Sequence, residues 1–474
     1  MPAGDPGSPP EQSRTALRGD VVVVGGGPAG LAAAAQLAAA GADVVLLEEA
    51  GELGGQYYKR RLGAVRARYG DYRPAGSRLI AATRAAGVRC LTGHLVWGVD
   101  DDGRTLLAFD PRSGATTAVR ARACIVATGA YERAIPMPGW QLPGVVTPGH
   151  ALHLATCERI ALGQRVVVAG TGPFLLAAAA AVLRAGGGVR AIVELNTPYR
   201  PGRAAAGAIR FPSRLRELAG YAAVLAAGRV AVLQGQRVVA AQGSGRVEAV
   251  QVAARAAGNQ PGPVRTFDVD GLAVGYGFRP SSELIRLLGA DCERDELGDE
   301  FPVVDPDGRT SVPHVFVAGE TARIAGLRAA LASGQLAAAA AAADLGLPPP
   351  QPQVLRAARA SLAAELRFAA LTARLYPVSA ADYLAMPDAT MVCRCEGVTA
   401  GVIRQAAATG RSEVSGVKAG TRAGMGACQG RQCGLALAAL AAAATGAKPA
   451  GIAARMPIKP VPVSSLLTRT DGEG

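Results

Sequence analysis

The chain has 474 residues, enough for about three domains with substantial cores. Charged residues make up 18% and aromatics 4%, beside 61 glycines and abundant alanine, a composition for close helix–sheet packing that excludes a fibrous or wholly disordered chain. The formal charge of +13 is spread over dispersed arginines with no Lys/Arg block and no interleaved aromatics, which argues against nucleic acid as a partner.

Residues 1–18 are polar and rich in Pro and Gly, with no charged segment leading into an apolar one. They read as a disordered lead without an export signal. The longest apolar runs, 174–183 and 435–444, fall short of the roughly 20 residues a bilayer demands, so no transmembrane segment is expected and the location is read as cytoplasmic.

Residues 21–48 (VVVVGGGPAGLAAAAQLAAAGADVVLLE) form the first legible unit: apolar strand, glycine turn, alanine-rich helix, second strand. Gly25, Gly27 and Gly30 occupy the three positions of the dinucleotide fingerprint. The first permits the tight turn, the second lets backbone approach a pyrophosphate, and the third lets helix pack on strand. Glu48, 23 residues beyond Gly25, stands where an acid accepts hydrogen bonds from a ribose. The loop Gly54-Gly55-Gln56 follows, its glycines able to lie against a flat ring and Gln56 able to hydrogen-bond it.

Residues 87–99 and 105–121 alternate apolar and polar side chains around a turn at 100–103, the pattern of a β-meander. It leads into ACIVATG (123–129), a buried strand closing on Thr128 and Gly129 near a nucleotide. Residues 164–194 then repeat the first unit, with Gly170, Gly172 and the closing acid Glu194 matched, but Leu175 in the third glycine position. Leucine there holds the helix off the strand. The second unit is therefore either a site for NAD(P) or ATP or a retained Rossmann-like domain with an empty pocket.

Residues 212–227 read as a helix and 272–280 (LAVGYGFRP) as a returning strand and glycine-rich turn. The strand at 315–318 ends in Gly319-Glu320 before a helix that begins after Gly326. The pattern is similar to the way two-dinucleotide flavoproteins hold ribityl hydroxyls and place a helix N-terminus at the flavin, the alternative being plain helix capping. PPPQP (348–352) marks a linker, and 354–376 looks helical.

The most discriminating signal comes next. Cys393 and Cys395 form a CxC pair, 32 residues intervene, and Cys428 and Cys433 form a CxxxxC pair. The glycines of 418–430 can turn backbone N–H groups toward sulfur, and Thr399 can cap a helix running to about 408, with a second helix from 434. Arg394, Lys418, Arg422 and Arg431 would stabilise an added electron. CxC spacing beside a flavin-type domain favours [2Fe–2S] over structural zinc, which more often takes Cx₂C; disulfides or free thiols are the remaining reading. Cys90, Cys124, Cys157 and Cys292 are isolated and read as small core residues. No CxxC or CxxxxC lies beside the flavin motifs, which disfavours disulfide-reductase chemistry. His150 and His153 lack a third metal ligand, and no general base for C–H oxidation is evident, so no catalytic residue is assigned.

The N-terminal two-thirds resembles the two-dinucleotide-binding flavoprotein reductases, and 393–433 resembles the BFD-like [2Fe–2S] domain. GGGPAG, ATGAYERAIPMPGWQLPGV, GYGFRP, VFVAGET, CRCEGVT, TRAGMGACQGRQCG and MPIKPVPVSSL together are similar to one family across about residues 19–465. It comprises the A subunits of opine oxidases and of heteromeric D-hydroxyproline or proline dehydrogenases, with the matching flavoprotein subunit of hydrogen cyanide synthase. The resemblance implies an α/β fold of two Rossmann-like domains plus a small helical iron–sulfur domain. It places FAD on Gly25, Gly27, Gly30, Glu48 and Glu320, and the cluster on Cys393, Cys395, Cys428 and Cys433. The implied division is a lead over 1–18, an FAD domain over 19–160 and 271–345, and a second nucleotide-type domain over 161–270. A linker with a helix over 346–388, the cluster domain over 389–447 and a tail over 448–474 complete it. Implied partners are an FAD-containing beta subunit of the D-amino-acid/glycine oxidase type, which oxidises the amine or imino acid, and often a small ferredoxin-like gamma subunit. Flavin and cluster in one chain fit a converter between two-electron and one-electron chemistry. A stand-alone NAD(P)H reductase and a scaffold with degenerate sites stay open as alternatives.

Overall fold

The computed structural model describes residues 15–100, 103–198, 211–255, 262–410 and 413–467. Its first sheet has strands β1 (Thr15–Val24), β2 (Val44–Glu48), β3 (Arg89–Thr92), β4 (Leu95–Val99), β5 (Thr105–Asp110) and β6 (Ala115–Val126), in the order β3-β2-β1-β6-β5-β4. The long β6 serves two partners along one edge. Residues 115–120 pair antiparallel with β5, and 124–126 pair parallel with the Val315–Val317 strand. The parallel part is buried on both faces, which is why 21–24 and 44–47 read as unbroken apolar runs.

Two expectations shift here. The lead ends earlier than residue 18: β1 starts at Thr15 because β6 reaches back to Ala115 and offers backbone partners to residues 15–18. Residues 1–14 lie outside the described residues. The first half of the supposed meander divides, since Gly93 turns the chain with φ +78° and leaves β3 parallel to β2, while β4, β5 and β6 keep the antiparallel meander. The turn at 100–103 closes through Gly103 N donating to Asp100 O at 2.9 Å; residues 101 and 102 lie outside the described residues.

The Pro28–Ala39 and Leu327–Asp344 helices pack on this sheet and on each other. They approach so closely that a Cβ on Gly334 would sit 2.3 Å from the Ala29 carbonyl oxygen, so the alanine–glycine composition is what permits the contact.

A second, all-parallel sheet runs Ala231–Gln234, Val189–Glu194, Val166–Gly170, Gly271–Gly275, Val145–Val146. The sequence places the return to the first domain at residue 271. The 271–275 strand instead bonds to Val166–Gly170, because a strand apolar on both sides needs flanking partners, and the second sheet supplies both. The second sheet thus also takes in Val145–Val146, ahead of residue 161.

The Pro352–Leu375 helix packs on Leu327–Asp344 through Ala332, Leu336 and Ala358. The C-terminal module is a short hairpin (Met391–Cys393 with Val398–Thr399) and helices Ala400–Ala408, Val414–Thr421 and Gly434–Ala443. Its core does not stop at its edge: Val392, Ile403, Leu437 and Leu440 share one buried cluster with Ile135, Leu195 and Tyr276 of the preceding domains. The described part of the 448–474 tail, up to 467, packs back on the first domain. Ile458 is buried in the first domain's core, and its N–H donates to Trp97 O at 2.8 Å. No helix among the described residues is long and apolar enough to cross a membrane.

Candidate functional site

Gly25 turns with φ +108°, and a Cβ there would meet the Ala127 carbonyl oxygen at 2.3 Å. A Cβ on Gly30 would stand 1.8 Å from Gly25 O, so this third glycine is what lets the helix lie against the strand. Gly27 is the N-cap of the Pro28–Ala39 helix and faces open space apart from Gly55, whose own Cβ would be 2.8 Å from the Gly27 Cα. The Gly54-Gly55 pair therefore seats one glycine loop on the other as well as leaving a flat wall. Gly54 N donates to Gly26 O at 2.8 Å, and Gln56 stands exposed beside it.

Glu48 is 9% exposed, and each carboxylate oxygen already accepts a backbone amide: Oε2 from Gly26 at 2.6 Å and Oε1 from Ala50 at 2.7 Å. Burial raises its pKa against those bonds. A carboxylate oxygen has a second lone pair, so the acid is fixed in place yet can still accept from a ribose.

Across the sheet, Thr128 Oγ1 donates to Ser281 O at 2.8 Å, and Gly129 N donates to Thr321 Oγ1 at 2.7 Å. Gly319 turns with φ +72°, its N–H donating to Ser333 Oγ at 2.8 Å, and the following helix starts at Leu327 with Gly326 as N-cap. Glu320 accepts from Gly326 N at 3.2 Å, so it does cap that helix; burial raises its pKa. Cβ atoms at Gly129 and Gly326 would meet nothing within 4 Å. The first fingerprint, Glu48, Thr128-Gly129 and Glu320 thus enclose open, glycine-walled ground of the kind an extended dinucleotide fills, and the residues fit FAD.

The second cradle is built differently. A Cβ on Gly170 would lie 1.7 Å from Gly275 O, whereas Gly172 is open with φ +111°. Leu175 is buried, and the helix starts one residue later than its counterpart, at Phe174, its opening turn closed by Leu175 N to Gly172 O at 3.2 Å. Glu194 is held by its own chain. It accepts from Thr171 Oγ1 at 2.6 Å, Asn196 N at 2.9 Å and Gly172 N at 3.0 Å. Asn196 in turn donates to Pro377 O and accepts from Arg255, which pairs with Asp382 at 2.7 Å. Burial lifts the Glu194 pKa above its ordinary 4.5 against those hydrogen bonds. The unfolded carboxyl ionises first, so stability present below 4.5 is lost as pH climbs through the raised folded value. Glu194→Gln is expected to flatten that part of a melting-temperature profile against pH, while lowering the melting point below it, where an amide accepts from fewer donors.

The four C-terminal sulfurs interact pairwise, although among the described residues no three metal-ligating side chains stand close enough to hold a single ion. Cys393 and Cys433 are 1% exposed, Cys428 is half-buried and Cys395 is exposed. The Cys433 thiol hydrogen-bonds both Cys393 and Cys428, and Cys395 bonds Cys428. That sharing, chiefly the bond from Cys433, pulls Cys428 down to about 5 and Cys393 down to about 6 despite burial, while Cys433 is pushed up. The Gly424 N–H donates to Cys393 Sγ at 3.5 Å, and the nearby amides of Glu396 and Cys395 beside Cys393 and of Gln432 and Gly430 beside Cys428 also favour the thiolate. Four thiols in one short module, with backbone amides beside them, fit a thiolate-ligated centre.

Several details differ from expectation. Residues 418–421 are helical, so the amide-bearing loop begins at Arg422. Thr399 is the N-cap residue, but its side chain makes no capping bond. Arg422 is neutralised by Glu396 at 2.8 Å, and Arg394 lies over the Trp140 ring at 5.0 Å. All eight cysteines are free, Cys124 and Cys157 buried and Cys90 and Cys292 only partly so. Thr321, Ser281, Tyr131 and Glu283 were not singled out by sequence reasoning. Tyr131 and Thr321 lie within the ATGAYER and VFVAGET strings, and Ser281 and Glu283 just past GYGFRP, with no signal of their own.

Residues 19–344 match the pyridine nucleotide-disulphide oxidoreductase family model, and 391–443 match the BFD-like [2Fe–2S] binding domain. The opine oxidase A subunit of Rhizobium meliloti is 34% identical over 85% of this chain and 87% of that protein. The HcnB subunit of hydrogen cyanide synthase from Pseudomonas aeruginosa is 32% identical over 89% and 92%. The crystal structure of L-proline dehydrogenase from P. horikoshii superposes with a TM-score of 0.67 at 22% identity, covering 96% of this chain and 81% of that one, a likeness of fold. With that fold, those cradles and those relatives, the chain belongs to the family of HcnB and the opine oxidase A subunit, oxidoreductase components that carry FAD and a [2Fe–2S] cluster.

Proposed function

We propose that this chain relays electrons within a heteromeric amine or imino-acid dehydrogenase or oxidase, receiving them from a partner subunit that oxidises the substrate. When bound, a flavin takes up two electrons and can release them singly, and a [2Fe–2S] centre carries one. Gly25, Gly27 and Gly30 hold the pyrophosphate, Glu48 the ribose and Glu320 the ribityl chain, with Gln56, Thr128, Gly129 and Gly319 around the ring. Cys393, Cys395, Cys428 and Cys433 hold the cluster.

One observation carries the reading. The cluster loop is bonded directly to the flavin wall through Arg431 and Tyr131, 2.9 Å apart, and the module shares a buried core with both domains before it. The donor is read as a C–N bond of an amine because opine oxidase and proline dehydrogenase are named for such substrates.

A self-sufficient NAD(P)H reductase would need the second cradle to hold a nicotinamide nucleotide, yet its third glycine position is the buried Leu175. The anaerobic test adds NADH or NADPH to the isolated chain, then an amine or imino acid together with a partner flavoprotein of the D-amino-acid/glycine oxidase type. The flavin band should persist with either nicotinamide and bleach with amine plus partner. Bleaching by NAD(P)H alone would replace the relay with the reductase.

A further inference from the structure

We infer that Arg431 clamps the cluster loop to the flavin wall and so fixes the separation of the two redox centres; this rests on the relay reading above. Arg431 lies between ligands Cys428 and Cys433, so any movement of it moves them. It is 10% exposed, and each guanidinium nitrogen is used on a different segment. Nε donates to the Tyr131 hydroxyl at 2.9 Å and stands 3.3 Å from Glu283. Nη1 reaches Gln429 Oε1 at 3.1 Å and Cys428 O at 3.4 Å, within the loop itself. Nη2 donates to Ile458 O at 2.7 Å, in the C-terminal segment.

Both outer anchors are firm. The Tyr131 hydroxyl is 2.9 Å from Ser281 Oγ, which also reaches Glu283 at 3.2 Å. Ser281 is joined to the flavin wall by its backbone, its N–H donating to Gly129 O and its carbonyl accepting from Thr128. On the other side, Pro457 O accepts from Gln429 Nε2 at 3.0 Å, and Lys459 pairs with Glu49 at 2.7 Å, one residue past the ribose acid. Neutralising Glu283 would need one contact. A planar fork spread over three segments is what holds them in register, and lysine's point charge cannot reproduce it. Electron tunnelling falls steeply with distance, so a loop held this way keeps one rate where a swinging one would have many.

The test uses the full chain with FAD and cluster in place and the variants Tyr131→Phe and Arg431→Lys. Hydrogen–deuterium exchange is followed at residues 424–433 and 456–459, together with the rate at which electrons placed on the flavin by a light pulse reach the cluster. With iron and FAD contents unchanged, both segments should exchange faster. Equilibration should slow several-fold and spread over more than one rate, because the freed loop no longer holds one separation. Should Arg431→Lys fail to fold, the milder Tyr131→Phe decides. Exchange needs no electron flow, so unchanged protection in Tyr131→Phe overturns the clamp. A wild-type chain whose two centres never equilibrate overturns the relay instead.

Discussion

Replacing Cys428 with serine is expected to strip the iron from the chain and leave the flavin bound. Cys428 carries the lowest thiol pKa of the four, about 5, because Cys433 and the amides of Gln432 and Gly430 bond to its sulfur. Serine cannot ionise in that range, so the site loses the charge that the cluster irons need. The flavin cradle proposed above, by contrast, uses Gly25, Glu48, Thr128 and Glu320, and none of their bonds runs through the cysteine loop. The module should stay folded, because Val392, Leu437 and Leu440 keep their packing against Ile135, Leu195 and Tyr276. Iron and acid-labile sulfide assays should fall to near zero while the flavin absorbance holds. Loss of both cofactors would mean that the two sites form a single folding unit.

Gly30→Ala is expected to do the reverse, emptying the flavin site while iron stays. The new methyl carbon would need to occupy a point 1.8 Å from the Gly25 carbonyl oxygen, and backbone cannot swing aside as a flexible side chain does. Helix and strand must separate, which costs about 3 kcal/mol as overpacking. That lowers the melting temperature by roughly 6–12 °C in a domain of this class. Separation also withdraws the helix N-terminus from the pyrophosphate, so FAD content should drop with it. Gly51→Ala is the control, since a Cβ there meets nothing within 4 Å. Equal FAD retention in the two variants would remove the first fingerprint from the flavin site.

Much of the fold was legible because its signals are local. An apolar run, a glycine turn and a helix lie within 28 residues at 21–48, and the same pattern at 164–194 announces the second sheet. The cysteine spacing likewise needs no tertiary knowledge, since four thiols in one short module imply a thiolate centre. Other features were hidden. The run at 271–275 looks like any buried strand, and only its pairing with Val166–Gly170 assigns it to the second sheet. Glu48 and Glu194 look alike in sequence, yet the first accepts two amides and the second is closed by Thr171, Gly172 and Asn196.

By itself, then, the chain of amino acids determined which segments become strands and helices, where a dinucleotide can lie and which sulfurs gather. Periodicity and glycine chemistry act over a few neighbouring residues, and those neighbours are written consecutively. Only the tertiary structure decided how the two redox sites face each other. Arg431 and Tyr131 are separated by 300 positions, and a contact that distant leaves no periodic trace until the sheets bring its partners within hydrogen-bond reach.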